Sequence, residues 1–272
     1  MVNPVSSASQ KPNYLPLKKQ IEGFVGRTGR PYGIYFKDIR SGAAFGINEE
    51  RPMVAASTTK VPVVLYLYHL VAEGKVRWSD RVAYNGGSDF ESGAGVLEFE
   101  ARPGDRYSLR TLATLAITTS DNVAYRMLIR HLGHDQVYKY MGDLGGQTVF
   151  PGGRNITTAA DLVKYMEAVL EFQGKHRELG GRLLDDMANS VYHVGLPGQL
   201  PDELVVPHKE GQINDVANDF GLVYSPRPYI LAVLSAGNVD VDEGFADIAS
   251  ISRMCYEYQQ KVEKSGKATA LP

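Results

Sequence analysis

The sequence predicts an α/β fold in which a five-stranded antiparallel sheet flanked by terminal helices is joined to a mostly helical domain. Three observations carry that prediction. Strand-like runs fall in two blocks, at residues 33–47 and 203–236. The stretch between them repeats its apolar residues at helical spacing, and a helical segment lies outside each block.

Taken in order, Leu17 to Arg27 reads as a helix, and Gly33 to Ile39 and Ala43 to Ile47 as two strands. Arg40-Ser41-Gly42 joins them with the signature of a hairpin. Met53-Val54-Ala55-Ala56 is a short apolar entry to Val61–Val71, a run long enough for a buried helix that Ser57 opens. Pro62 lacks an N–H early in that helix, where the loss costs little, so a mild distortion is expected near Ser57. In Tyr107–Ile117 the residues Leu109, Leu112, Leu115 and Ala116 recur at helical spacing, and a second helical stretch runs from Val123 to Leu132. Thr158-Ala-Ala-Asp161 reads as a capping box before a helix with Leu162, Tyr165, Met166, Val169 and Leu170 on one face.

Glu203–Ile213, Val216–Tyr224 and Tyr229–Ala236 supply three more strands, with turns at Asn214-Asp215 and Pro226-Arg227-Pro228. A last helix carries Ile248, Ile251, Met254, Cys255, Tyr258 and Val262 on its apolar face. The organisation that follows is a polar linker at 1–16, a discontinuous α/β domain at 17–56 and 195–264, a helical domain at 57–194 and a tail at 265–272.

Three short words carry the chemistry: Ser57-Thr58-Thr59-Lys60, Ser120-Asp121-Asn122 and Lys209-Glu210-Gly211. A serine hydroxyl is a poor nucleophile until a neighbouring base takes its proton, and a lysine one helical turn away can be that base. At i and i+3 of a helix, Ser57 and Lys60 share a face. The plain alternative is that Ser57 is an N-cap, since Ser-x-x-Lys arises about once by chance in a chain of this size. Ser120-Asp121-Asn122 sits at a corner between two helical stretches, where a hydroxyl can relay a proton and an amide can donate to a substrate carbonyl, or where the tripeptide is only a capped turn. Lys209 lies on a strand.

In this order the three words resemble the class A β-lactamases and penicillin-binding proteins. The resemblance runs from about Tyr32 to Tyr258 and includes Glu91-Ser-Gly-Ala-Gly-Val-Leu97 and Asn218-Asp-Phe-Gly-Leu-Val-Tyr224. It implies the β-lactamase-like fold and a serine hydrolase with Ser57 as nucleophile, Lys60 as its base or the base's partner, and Ser120 and Lys209 on the proton-relay side. Asn122, Glu210, Gly211 and Gln212 would touch substrate, with the backbone N–H groups of Ser57 and Gln212 as the oxyanion hole. Repulsion from Lys209 would lower the Lys60 pKa and help it act as a neutral base. The implied partner is a small-molecule or peptide substrate, a β-lactam or a D-alanyl peptide. No cofactor is implied.

Two departures from the family pattern bear on turnover. The class A enzymes deacylate with a glutamate on a loop between the second and third words. Here Leu144–Ile156 holds no carboxylate, and Asp143 is the nearest candidate, set against the alternative of a solvated helix-end residue. Glu210 stands where the family usually has threonine, so an anion faces any substrate carboxylate unless it pairs with Lys209 or with an arginine such as Arg227 or Arg253. The reading is therefore a penicillin-recognising serine hydrolase that is slow to deacylate. The alternatives are a true class A β-lactamase and a noncatalytic sensor domain that keeps a stable acyl adduct.

Composition excludes other classes. With 272 residues, 43% of them hydrophobic, the chain can bury a large core. Its net charge of −2, from 29 basic and 31 acidic residues, gives no polyelectrolyte signal for nucleic acid. The single cysteine, Cys255, precludes an internal disulfide and reads as a packed core thiol. The six histidines show no metal-ligand spacing, and His208, beside the third word, is the one candidate for a site role. No run reaches the ~18 apolar residues of a membrane span. The family's substrates lie outside the bacterial cytoplasm, so the expectation is an exported protein whose leader is absent from this chain, with a cytosolic protein as the alternative.

Overall fold

Strand-forming runs from the two ends of the chain meet in one antiparallel sheet. The computed structural model describes residues 11–268. Its larger elements are α1 (Leu15–Thr28), β1 (Tyr32–Asp38), β2 (Ala44–Ile47), β3 (Met53–Val54), α2 (Lys60–Ala72), β4 (Arg81–Ala83), α3 (Gly86–Asp89), α4 (Leu97–Glu100), β5 (Arg106–Ser108), α5 (Leu109–Thr118), α6 (Asn122–Leu132) and α7 (His134–Asp143). Then come β6 (Ile156–Thr157), α8 (Ala159–Lys175), α9 (Arg177–Ala188), β7 (His208–Ile213), β8 (Val216–Val223), β9 (Tyr229–Ser235) and α10 (Val241–Ala268). The sheet order is β2-β1-β9-β8-β7, and every neighbouring pair is antiparallel.

Residues of β8 and β9 are buried at every position, because helices cover both faces of the sheet. Alternation along β9 divides its side chains: Leu231 and Val233 join Ile34, Phe36, Leu17, Ile21, Ile248 and Cys255 in a core under α1 and α10. Ile230, Ala232 and Leu234 point the other way, into a second core with Val63, Leu65, Leu112, Met127, Leu162 and Met166 from the helical part. Cys255 is fully buried, and burial pushes its thiol pKa up, as expected of a packed core residue. Among the described residues no helix is long and apolar enough to cross a membrane.

Several boundaries differ from the sequence reading for physical reasons. The third-word strand starts at His208 rather than Glu203, because Pro207 has no N–H for the ladder, although its carbonyl still accepts from Leu222 N at 2.9 Å. The short ladders β3–β6 and β4–β5 have two or three residues per strand, too few for a period to register. Helix α1 begins at Leu15 with proline in its first turn, so the expected 1–16 linker ends sooner. Residues 1–10 of that linker lie outside the described residues, and residues 265–268 of the expected tail are helical. Only half of the Thr158 capping box forms: Thr158 Oγ1 accepts from Asp161 N at 3.0 Å. The Asp161 carboxylate turns instead to the N–H groups of Gln147 and Thr148, at 2.9 and 2.8 Å.

Candidate active site

Ser57 lies in a single 3-10 turn, Ala56–Thr59, that leads into α2, with Pro62 in the first turn of the helix. Its side chain caps nothing, so the N-cap alternative is not what the residue does. The residue before it, Ala56, has φ 49°, a left-handed conformation that costs a non-glycine residue on the order of 1–3 kcal/mol. Two amides hold the turn. Asn155 Nδ2 donates to Ala56 O at 2.7 Å while its Oδ1 accepts from Thr59 Oγ1 at 3.1 Å. Asn218 Nδ2 donates to Val54 O at 2.8 Å and Ala55 O at 3.2 Å. Strand β7 presses against the same turn. A Cβ on Gly211 would fall 2.9 Å from Ala55 O and 3.0 Å from Ser57 N, so the third word needs glycine here.

The second word occupies the corner between α5 and α6. Asp121, fully buried, caps α6 by accepting from Ala124 N at 2.8 Å and also accepts from Val96 N and Leu97 N at 2.8 and 2.9 Å. A Cβ at Gly95 would come within 2.3 Å of that carboxylate, and φ there is 101°. The glycine-containing segment at 93–95 is thus tied to the second word, and α3 is tied by the ion pair of Asp89 with Arg130 at 2.7 Å. Ser120 has φ 55°, a second left-handed non-glycine residue, which turns its hydroxyl and carbonyl toward the same centre.

The four expected groups converge. Lys60 Nζ lies 2.9 Å from Ser57 Oγ, 3.3 Å from Ser120 Oγ and 2.7 Å from Asn122 Oδ1, and also bonds Ser120 O. Lys209 Nζ donates to Ser120 Oγ at 3.0 Å from the other side. Ser120 therefore bridges the two lysines. The ring of Tyr125 stands 5.7 Å from Lys60 Nζ. Asn122 Nδ2 donates one hydrogen to Ser92 O at 2.9 Å and keeps a second.

Burial lowers the Lys60 pKa to about 7, with repulsion from Lys209 second, and Glu210, Asp121 and Glu91 oppose both. The repulsion expected from sequence is present but is the smaller cause. A neutral Lys60 offers two N–H groups, which Ser120 O and Asn122 Oδ1 can take, and a lone pair for the Ser57 hydroxyl. That is the arrangement of a general base.

Glu210 turns into the site, 5% exposed. Its Oε1 accepts from Lys209 Nζ and its Oε2 from Ser190 Oγ at 3.3 Å. Burial would raise its pKa, but the Lys209 ammonium and its hydrogen bond hold the carboxyl below the usual range. The arginines considered from sequence serve elsewhere: Arg227 pairs with Asp38 at 2.6 Å and Arg253 with Glu257 at 3.7 Å.

Asp143 does not join this centre. It ends α7 on the surface, paired with Lys139 at 2.5 Å, because one helical turn separates the two residues. His208 is buried behind the strand, with Nδ1 3.0 Å from both oxygens of Asp219. Burial pushes its pKa down, but the Asp219 carboxylate outweighs this and raises it. Gln212 lies on the edge strand, where half of the backbone groups face away from the ladder. Sequence reasoning missed Asn155, Asp121's loop contacts and Tyr125. A lone asparagine in a glycine-rich loop gives no signal, whereas Asn218, which with Asp219 interrupts a largely apolar strand, offered one.

A family model described as the Beta-lactamase enzyme family matches residues 16–259. Among solved structures, PBP-A superposes with a TM-score of 0.85 at 29% identity, covering 91% of this chain and 97% of that one. A mutant of PBP-A in an acyl-enzyme complex with penicillin G gives 0.84 at 29% identity, covering 90% and 97%. A β-lactamase from Sphaerobacter thermophilus DSM 20745 gives 0.81 at 24% identity, covering 92% and 98%, a likeness of fold. No curated protein matches this chain.

Proposed function

The chain belongs to the β-lactamase enzyme family and is a serine hydrolase, and on that premise we propose that Ser57 forms an acyl-enzyme with β-lactams or D-alanyl peptide-like amides and esters and releases it slowly. The observation that carries the reading is the chain of contacts from Ser57 Oγ through Lys60 and Ser120 to Lys209, at 2.9, 3.3 and 3.0 Å. In this reading neutral Lys60 takes the Ser57 proton as Oγ attacks the carbonyl. The backbone N–H groups of Ser57 and Gln212 receive the developing oxyanion. Ser120, held by Lys209, passes a proton to the leaving atom, and Asn122 uses its second N–H on the substrate's amide carbonyl.

Slow release rests on the loop between α7 and α8. Leu144–Ile156 carries no carboxylate, and Asp143 is engaged on the surface, so no acid group from this segment is set to activate water against the ester. PBP-A, whose mutant holds penicillin G as an acyl-enzyme, is a relative consistent with this outcome.

Intact-protein mass spectrometry with a fluorescent penicillin, followed over time, tests the reading. The expected result is an adduct that needs Ser57, is absent in Ser57→Ala, and persists after excess drug is removed. Rapid loss of label with release of hydrolysed drug would instead make the protein a class A β-lactamase.

A further inference from the structure

The three hydrogens of the Lys209 ammonium are all engaged within the chain. They go to Ser120 Oγ, to Glu210 O at 3.2 Å and to the Glu210 carboxylate. Lysine has three donors and no more, so none remains for a ligand. Lys209 is fully buried and Glu210 nearly so, and the pair contributes no net charge to this side of the cleft. Within β7 and β8 no second cation can replace it, since Lys209 is the only lysine or arginine between Glu203 and Arg227. Lys60, on the far side of Ser120, has its own hydrogen bonds to Ser57, Ser120 and Asn122. The adjoining lip, Ser190-Val191-Tyr192, offers apolar surface. Val191 is 62% exposed, and Tyr192 N is turned back onto Ser190 Oγ at 3.2 Å.

We infer that the leaving-group side of this site selects acyl donors that are uncharged there, an amide or ester in place of a carboxylate, and that Glu210 sets the selection. A carboxylate placed beside Lys209 must displace Glu210 from its ammonium or lie next to a second buried anion. Either outcome weakens its binding relative to an isosteric neutral group. A neutral group leaves the pair intact and rests against the Val191–Tyr192 lip.

The inference rests on Ser57 being the acylated residue, and the test separates the two. The probes are benzoyl-D-alanyl thioglycolate, which carries a carboxylate on the leaving group, and the matching thioglycolamide. In each, the Ser57 Oγ–carbonyl bond forms and the carbonyl–sulfur bond breaks. The Ser57 proton passes through Lys60 and Ser120 to the sulfur, which departs as a thiol, and water later cleaves the ester to benzoyl-D-alanine. Thiol release gives kcat/KM, and intact mass gives the adduct.

The wild-type protein is expected to favour the amide by about tenfold or more, the scale on which one unmet buried charge discriminates between ligands. In Glu210→Thr, which frees one Lys209 donor, the ratio of acid to amide kcat/KM should rise at least about tenfold. Glu210→Gln keeps the side chain's shape, should move the ratio the same way, and guards against a folding defect in the first variant. Adducts on Ser57 with no preference between the probes, or a preference for the acid that neither variant changes, would overturn this inference alone. Thiol release from both probes that persists in Ser57→Ala, or no adduct from either, would overturn the acyl-enzyme reading beneath it.

Discussion

Lys60 is the base of the proposed mechanism, and its environment makes a pH-dependent prediction. Its pKa is lowered to about 7, so the neutral, base-competent form is present at about half occupancy at neutral pH and grows above it. Acylation kcat/KM should therefore climb through pH 7 to a plateau and fall about tenfold per unit well below it, measured by stopped-flow labelling. Glu210 opposes the lowering, and removing its charge leaves repulsion from Lys209 less compensated. In Glu210→Gln the acid limb of that profile should shift to lower pH. An unmoved limb would mean that Glu210 and Lys60 are not coupled.

The elements around the site act as clamps on two left-handed residues. Ala56 and Ser120 adopt backbone conformations that neither would choose unaided, and side chains from other elements bond them there, Asn155 to Ala56 O and Lys60 to Ser120 O. Asn155→Ala removes a donor to Ala56 O and an acceptor for Thr59 Oγ1. It should lower stability by about 1–3 kcal/mol in denaturant titration. It should also slow acylation at a temperature where the variant remains folded, because the Ser57 turn loses its tie to the loop. Acylation at the wild-type rate would mean that the turn holds itself.

At this scale the sequence revealed long elements and hid short ones. The 3.6-residue period announces α5 and α8, and Arg40-Ser41-Gly42 announces the β1–β2 hairpin. A two-residue ladder such as β3–β6 has no period to read. The start of β7 depended on a missing proline N–H rather than on hydropathy. The four candidate site residues that converge, Ser57, Lys60, Ser120 and Lys209, were legible because their spacing matches a chemical pattern. The supports were not, since Asn155 and Asp121 act through backbone contacts formed only once distant segments meet. The direction of Glu210 was likewise open until the buried Lys209 gave it a partner.

The whole molecule is two cores sharing one sheet, with the reactive groups where the helical part meets its edge strand. Ser57 and Lys60 come from the start of a buried helix, Ser120 and Asn122 from a corner between helices, and Lys209 from β7. Each word is locally unremarkable, and only the packing of the helical core against the sheet makes them one site. The internal compensation of Lys209 by Glu210 has a consequence for diffusional capture. A molecule of net charge −2 whose site cation is neutralised from within projects little attractive field toward an approaching anion. Second-order acylation by an anionic penicillin should change less than about twofold as ionic strength rises from roughly 0.02 to 0.3 M, a range over which a steered encounter would slow steeply. On the proposed mechanism, encounters with substrate would run at a pace governed by shape and contact, as indifferent to the saltiness of the surroundings as those of an uncharged receptor.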